Sequence, residues 1–130
     1  MNGPLGVMVV DDQAPFRSAV KAVLRRSTEF DLIGEAASGA EAISMADELN
    51  PAVVLMDINM PEMNGIEATR RIVATHPDVM VVLCSTYDVG DLPPDAATSG
   101  AHAYVNKERL AADTLHNLWQ ERDSGSFITR

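Results

Sequence analysis

The sequence predicts a three-layer α/β sandwich, a doubly wound fold in which helices cover both faces of a parallel sheet. Strand-like and helix-like stretches alternate along all 130 residues, as expected for repeated βαβ units. Three strand-like runs, at residues 5–10, 52–56 and 79–84, are continuously apolar. Such strands are buried on both faces, which is typical of a parallel sheet. The length fits one domain.

The first half of the chain predicts two helices and a short strand between the apolar runs. Apolar side chains recur at helical spacing over residues 16–24, which predicts the first helix. Residues 30–36 predict the second strand. Ser38 and Glu41 have the spacing of a capping box and mark the start of a second helix, which ends before Pro51.

The second half predicts three more helices and a weaker last strand. Asn64 is a cap for a third helix that runs to about His76. A glycine and two prolines then interrupt the place of the fourth helix, so we expect it to begin late, near Pro94, and to be short or mobile. Residues 101–105 predict the fifth strand, and residues 108–122 predict the last helix.

Composition and charge exclude several classes of protein. Nineteen acids against ten bases leave a net charge of −9, which repels nucleic acid and anionic lipid, so we expect no direct contact with either. No apolar run is long enough to cross a bilayer, and the amino terminus lacks the features of a signal peptide. The single cysteine, Cys84, cannot form an internal disulfide. These features predict a cytoplasmic protein.

The polar residues that follow the apolar runs predict a site. The carboxyl ends of parallel strands share one edge of the sheet, and ligands bind there. Five side chains are therefore expected at one place: Asp11, Asp12, Asp57, Ser85 and Lys107. Converging carboxylates suit a hard cation such as Mg²⁺ or Mn²⁺. A lysine and a hydroxyl suit a phosphoryl group, which a carboxylate can itself accept as an aspartyl phosphate.

These strand ends resemble the receiver domain of two-component response regulators. The matching segments lie in the same order along the chain, at residues 9–13, 54–61, 64–65, 85–88 and 100–107. The resemblance covers about residues 5–122. The sequences of residues 57–65 and 76–79 look most like those of regulators whose output is a helix-turn-helix DNA-binding domain.

The resemblance implies a fold and a reaction. The fold is flavodoxin-like, (βα)5, with five parallel strands in the order 2-1-3-4-5. Residues 1–123 form the receiver domain, and residues 124–130 are a tail or the start of a linker. Asp57 is the phosphoacceptor, which takes the group from a phosphohistidine on a sensor histidine kinase. A DNA-binding output domain beyond residue 130 and control of transcription are also expected.

The same resemblance implies roles for the neighbouring residues. Asp12, Asp57 and the backbone carbonyl of Asn59 hold Mg²⁺, with Asp11 acting through a bound water. Lys107 pairs with the phosphoryl group. Ser85 hydrogen-bonds the phosphoryl group. Tyr104 moves inward when Ser85 is drawn toward the phosphoryl group. The surface formed by the fourth helix, the fifth strand and the fifth helix then changes conformation and controls the output.

Two smaller expectations follow. Asn59 and Tyr87 each lie two residues beyond a site residue, so we expect them to govern water access to the phosphate. Phosphorylation is expected to promote formation of a homodimer through the last helix.

Departures from the family pattern keep an alternative open. Glu108 follows Lys107 where the family commonly has a proline joined by a cis bond, and two prolines fall on the switching face. A non-phosphorylated, receiver-like interaction module is compatible with both changes. An aspartyl-phosphate phosphatase is disfavoured, because Asn59 stands where such enzymes have a second acid.

Overall fold

A parallel sheet of six strands lies between two layers of helices in the computed structural model, which describes residues 3–130. The strands are β1 (Leu5–Val10), β2 (Phe30–Ala36), β3 (Val53–Asp57), β4 (Met80–Ser85), β5 (Ala103–Asn106) and β6 (Ile128–Thr129). The helices are α1 (Ala14–Arg25), α2 (Gly39–Leu49), α3 (Gly65–Thr75) and α4 (Ala112–Gln120). Among the described residues, no helix is long and apolar enough to span a membrane.

The predicted α/β sandwich is confirmed. The strands lie in the order β2-β1-β3-β4-β5-β6 and every neighbouring pair is parallel. Alternate residues of β1 enter two different apolar cores: Met8 and Val10 pack on one face of the sheet, and Val7 and Val9 on the other. Burial on both faces explains why the central strands are continuously apolar.

The predicted helix starts at Ser38 and Asn64 also agree with the structure. The Ser38 hydroxyl accepts a hydrogen bond from the Glu41 amide at 3.1 Å, and the Asn64 side chain accepts one from the Glu67 amide at 3.0 Å. Each bond satisfies an amide that has no partner within its helix. These caps set where α2 and α3 begin, and α3 begins directly beside the predicted site.

The region predicted as a fourth α-helix contains two short 3₁₀ turns instead, at Val89–Asp91 and Pro94–Ala96. Pro93 and Pro94 lack amide hydrogens, and a proline also biases the residue before it away from the helical region. Leu92 accordingly has an extended backbone, with ψ of 132°. The predicted late start near Pro94 therefore produces a single 3₁₀ turn rather than an α-helix.

The last helix is shorter than predicted. We expected residues 108–122, whereas α4 spans Ala112–Gln120. Lys107–Arg109 form a separate 3₁₀ turn, and Leu110 and Ala111 are extended. The break separates the lysine of the predicted site from the helix that follows it.

The prediction of five strands was wrong by one. Residues 124–130, predicted as a tail or the start of a linker, contain β6, which pairs with β5. Its apolar neighbours explain the pairing, because Phe127 packs on one core and Ile128 on the other. The backbone of Arg130 extends the ladder, with its amide 2.9 Å from the Tyr104 carbonyl. The segment therefore covers the edge that β5 would otherwise expose.

Candidate functional site

Three carboxylates meet at the carboxyl edge of the sheet. Asp57 is the last residue of β3, and Asp11 and Asp12 directly follow β1, its hydrogen-bonded neighbour. One oxygen of each carboxylate lies within 4.8 Å of the others. Asp11 is fully buried and Asp57 is 4% exposed, whereas Asp12 is half-buried. Asp12 is therefore the most accessible of the three carboxylates.

Asp11 is held from both its side chain and its backbone. Its Oδ1 accepts a hydrogen bond from the Gln13 amide at 2.8 Å. Its carbonyl accepts one from Arg17 Nη1 at 2.7 Å, and Arg17 also pairs with Glu35 at 3.3 Å. These hydrogen bonds fix the orientation of the Asp11 carboxylate relative to the other groups of the site.

Lys107 reaches across the sheet to two of the acids. Its Nζ lies 2.7 Å from Asp11 Oδ2 and 3.2 Å from Asp57 Oδ1, and it stands 4.5 Å from the centroid of the Phe16 ring. Burial alone would lower the pKa of Lys107, but its hydrogen bond to Asp11 and the charge of Asp57 outweigh that effect and raise the pKa. The ammonium is therefore a permanent positive charge between the two carboxylates.

Asp57 carries negative charge that its surroundings do not fully compensate. Burial and the nearby Asp11 raise the pKa of Asp57 to about 6, although Lys107 acts in the opposite direction. Three carboxylates face one ammonium, so the donor set has both the hard oxygen atoms and the excess negative charge that suit Mg²⁺. At neutral pH the Asp57 carboxylate is mostly ionised and can act as a nucleophile.

A polar chain of side chains borders the acids on the β4 side. Ser85, the buried last residue of β4, accepts a hydrogen bond from Asn59 Nδ2 at 3.4 Å. The Tyr87 hydroxyl donates to Asn59 Oδ1 at 3.2 Å. Asn59 therefore links the Ser85 hydroxyl to the Tyr87 hydroxyl, and the role of both residues in water access stays a prediction.

Tyr104 lies inward, beneath this chain. The side chain is fully buried, and its hydroxyl is 2.7 Å from the Tyr87 carbonyl and 3.0 Å from the Ser85 carbonyl. Burial raises the pKa of Tyr104 to about 12, so the hydroxyl stays protonated and donates. It bonds to the backbone of Ser85, not to the hydroxyl.

The sequence interpretation missed several residues that shape the site. Phe16 was assigned to the apolar face of α1, whereas its ring also borders the lysine ammonium. Gly65 is required at the start of α3, because a Cβ there would lie 1.9 Å from the Asp57 carbonyl oxygen. Asn106 directly precedes Lys107, and the sequence pattern gives it no role of its own. These contacts depend on distances between separate segments, which the local pattern does not contain.

Comparison with known proteins assigns the chain to a family. A family model described as the response regulator receiver domain matches residues 7–119. The chain belongs to this family. The receiver domain is 38% identical over 122 residues to the transcriptional regulatory protein DegU of Brevibacillus brevis, an alignment that covers 94% of the chain and 52% of DegU. It therefore spans about half the length of that relative and of the regulators YdfI and LnrK of Bacillus subtilis.

Shorter relatives and solved structures agree with this assignment. The receiver domain is 36% identical over 114 residues to the chemotaxis protein CheY of Listeria monocytogenes, covering 88% of the chain and 95% of CheY. A crystal structure of a LuxR-family two-component response regulator from Aurantimonas sp. SI85-9A1 superimposes with a TM-score of 0.82 at 25% identity. That match covers 95% of this chain and 89% of the other. The predicted family is confirmed.

Proposed function

We propose that this receiver domain accepts a phosphoryl group on Asp57 in a reaction that requires Mg²⁺. The observation that carries the proposal is the position of the Lys107 ammonium, which lies 3.2 Å from Asp57 and 2.7 Å from Asp11. An oxygen of a third carboxylate, Asp12, lies within 4.8 Å of an oxygen of each of these two acids. A nucleophilic carboxylate, a fixed cation and a set of oxygen ligands are the groups that phosphoryl transfer needs.

In the proposed step, a carboxylate oxygen of Asp57 attacks the phosphorus of a phosphohistidine on a sensor histidine kinase. The phosphorus–oxygen bond of an aspartyl phosphate forms as the phosphorus–nitrogen bond breaks. The imidazole leaves with the electron pair and takes up a proton. Lys107 pairs with the charge of the transferring group, and the Ser85 hydroxyl hydrogen-bonds one of its oxygens.

The donor set supports a role for four residues in holding the metal. Asp12, Asp57 and the carbonyl of Asn59 would bind Mg²⁺ directly, and Asp11 would act through a water. When bound, the cation supplies positive charge beside the oxygens of the phosphoryl group. Mn²⁺ has a similar preference for oxygen ligands and would occupy the same place.

The hydrogen bonds around Tyr104 support a route from the site to the surface. Movement of Ser85 toward a phosphoryl group would shift its carbonyl, to which the Tyr104 hydroxyl lies at 3.0 Å. The output surface in this chain consists of β5, β6, α4 and the turns at residues 89–96, which take the place of the fourth helix. Phosphorylation would alter this surface and promote a homodimer through α4.

The relatives support a proposed partner and output. DegU is a transcriptional regulatory protein, so we propose that the receiver domain serves a DNA-binding output domain beyond residue 130 and controls transcription. Its phosphoryl donor is a sensor histidine kinase, and its compartment is the cytoplasm. The net charge of −9 supports an indirect effect on DNA through the output domain rather than contact by the receiver itself.

The test is phosphorylation by acetyl phosphate and Mg²⁺, followed by intact mass spectrometry. The wild type should gain one phosphate, and Asp57→Asn should gain none. Asp78→Asn is the matched control, because Asp78 is an exposed acid in the turn before β4, at the opposite end of the sheet. A phosphate on Asp57→Asn would contradict the assignment of Asp57 as the acceptor. No phosphate on the wild type would contradict the proposal and favour the non-phosphorylated interaction module.

A further inference from the structure

We propose that Asn106 is a positioning residue for Lys107, holding the backbone from which the lysine reaches the phosphoryl site. Asn106 is the last residue of β5, and Lys107 opens the 3₁₀ turn that follows. The inference rests on the proposed function, since it concerns how well the ammonium is placed for a phosphoryl group. It adds a residue that has no direct contact with the acids.

Two hydrogen bonds from one carboxamide carry the argument. Asn106 Oδ1 accepts from the Glu108 amide at 2.9 Å, and Asn106 Nδ2 donates to the Tyr87 carbonyl at 3.1 Å. An amide nitrogen can only donate and a carbonyl can only accept, so both partners require this orientation of the side chain. The carboxamide thus ties the lysine turn to the loop after β4.

The first of these bonds is possible because Glu108 follows the lysine. A proline at that position would have no amide hydrogen to donate. The turn itself has little internal bonding, because its backbone bond from the Leu110 amide to the Lys107 carbonyl is 3.5 Å long. The shorter side-chain bond from Asn106 is therefore the firmer restraint on the turn, and the Lys107–Glu108 peptide bond is trans.

The second bond connects the lysine to the remaining site residues. The Tyr87 carbonyl accepts from both Asn106 and the Tyr104 hydroxyl, and the side chain of Tyr87 contacts Asn59. The lysine stem is flexible, so its ammonium can hold a fixed place only if its backbone is anchored. Asn106 anchors it against the loop that follows Ser85 and carries Tyr87.

A double-mutant cycle tests whether Asn106 acts through Lys107. The probe is beryllofluoride, a tetrahedral analogue of the phosphoryl group, and its affinity in saturating Mg²⁺ is measured by ¹⁹F NMR. Loss of hydrogen bonds of this kind is worth roughly tenfold in affinity, so Asn106→Ala should weaken binding by about that factor. In a Lys107→Gln background, Asn106→Ala should have no further effect.

Three comparisons separate positioning from a general structural role. The affinity for Mg²⁺ alone, measured by calorimetry, should change less than about twofold in Asn106→Ala, because the proposed metal ligands lie at or just beyond the ends of β1 and β3. Asn106→Ser keeps an oxygen that can cap the turn, and it should recover part of the loss. Asp78→Ala, which alters an exposed residue in the turn before β4 at the opposite end of the sheet, is the control and should bind as the wild type does.

Equal losses in the two lysine backgrounds, or a wild-type affinity in Asn106→Ala, would overturn the inference and leave the proposed function intact. Failure of the wild type to bind beryllofluoride would instead overturn the proposed function together with the inference. If Asn106→Ala does not fold, Asn106→Ser carries the cycle, with a smaller loss that must still vanish in Lys107→Gln.

Discussion

Asp57→Asn is expected to stabilise the metal-free receiver domain at neutral pH. Burial and the neighbouring Asp11 raise the pKa of Asp57 from 3.8 to about 6. Each pKa unit of difference between the folded and unfolded states is worth about 1.4 kcal/mol, so the ionised carboxylate costs the folded state about 3 kcal/mol above pH 6. An asparagine of similar shape has no such cost and can still hydrogen-bond Lys107.

The sign of the effect gives it a distinctive pH dependence. A carboxyl group with a higher pKa in the folded than in the unfolded state stabilises the fold fully below its unfolded pKa. This stabilisation is lost as the pH rises through the folded pKa. The variant and the wild type should therefore differ little near pH 4. Their difference in free energy of unfolding should grow to about 3 kcal/mol by pH 7.

Urea denaturation in EDTA, followed by circular dichroism at several pH values, measures this difference. Asp78→Asn serves as the control, because that exposed carboxylate should change stability by less than about 0.5 kcal/mol at any pH. A variant-minus-wild-type difference that stays flat from pH 4 to pH 7 would refute the reasoning. Added Mg²⁺ should reverse the order, since it stabilises only the protein that binds it.

Three other predictions address different contacts. Lys107→Ala leaves two buried carboxylates without their ammonium, and urea denaturation at pH 7 without metal should show a loss of about 3 kcal/mol that shrinks as the acids are protonated. Gly65→Ala places a methyl group against the Asp57 carbonyl, and the same assay should show a loss of more than about 2 kcal/mol, with weaker Mg²⁺ binding by calorimetry. Tyr87→Phe removes the hydroxyl that hydrogen-bonds Asn59, and the half-life of the aspartyl phosphate, followed by mass spectrometry, should change several-fold. An unchanged half-life in both Tyr87→Phe and Asn59→Ala would show that neither residue belongs to the site.

The parts of the fold that were predictable are those set by local pattern and sheet topology. The run that ends on Asp57 is continuously apolar because both faces of β3 are buried, and burial of that kind specifies a parallel sheet. Once the sheet is parallel, the acids after β1 and at the end of β3 must share an edge. The convergence of Asp11 and Asp57 is therefore predictable from the hydrophobic pattern of the strands and the topology of the sheet.

The parts that were missed depend on tertiary contacts. β6 has two residues, and the segment before it, Ser-Gly-Ser, carries no strand signal. Its pairing with β5 is supported by the partly buried side chains of Phe127 and Ile128, which pack on opposite cores. The prolines before Ala96 predicted a weakened helix, but the pattern did not specify that two 3₁₀ turns would take its place. The bond from Asn106 to Tyr87 joins residues 19 positions apart, which no periodicity reports.

The charges at the site argue for a coupling between stability and function. Three carboxylates and one ammonium leave two negative charges in excess when all are ionised, and this excess contributes to the raised pKa of Asp57. The same excess would repel the phosphoryl group of a donor, so the metal-free site is poorly suited to the proposed reaction. A divalent cation cancels both charges at once. The like-charge repulsion that adds to the effect of burial on the pKa of Asp57 therefore also favours cation binding. Both the rate of phosphorylation and the stability difference between the wild type and Asp57→Asn should depend on Mg²⁺.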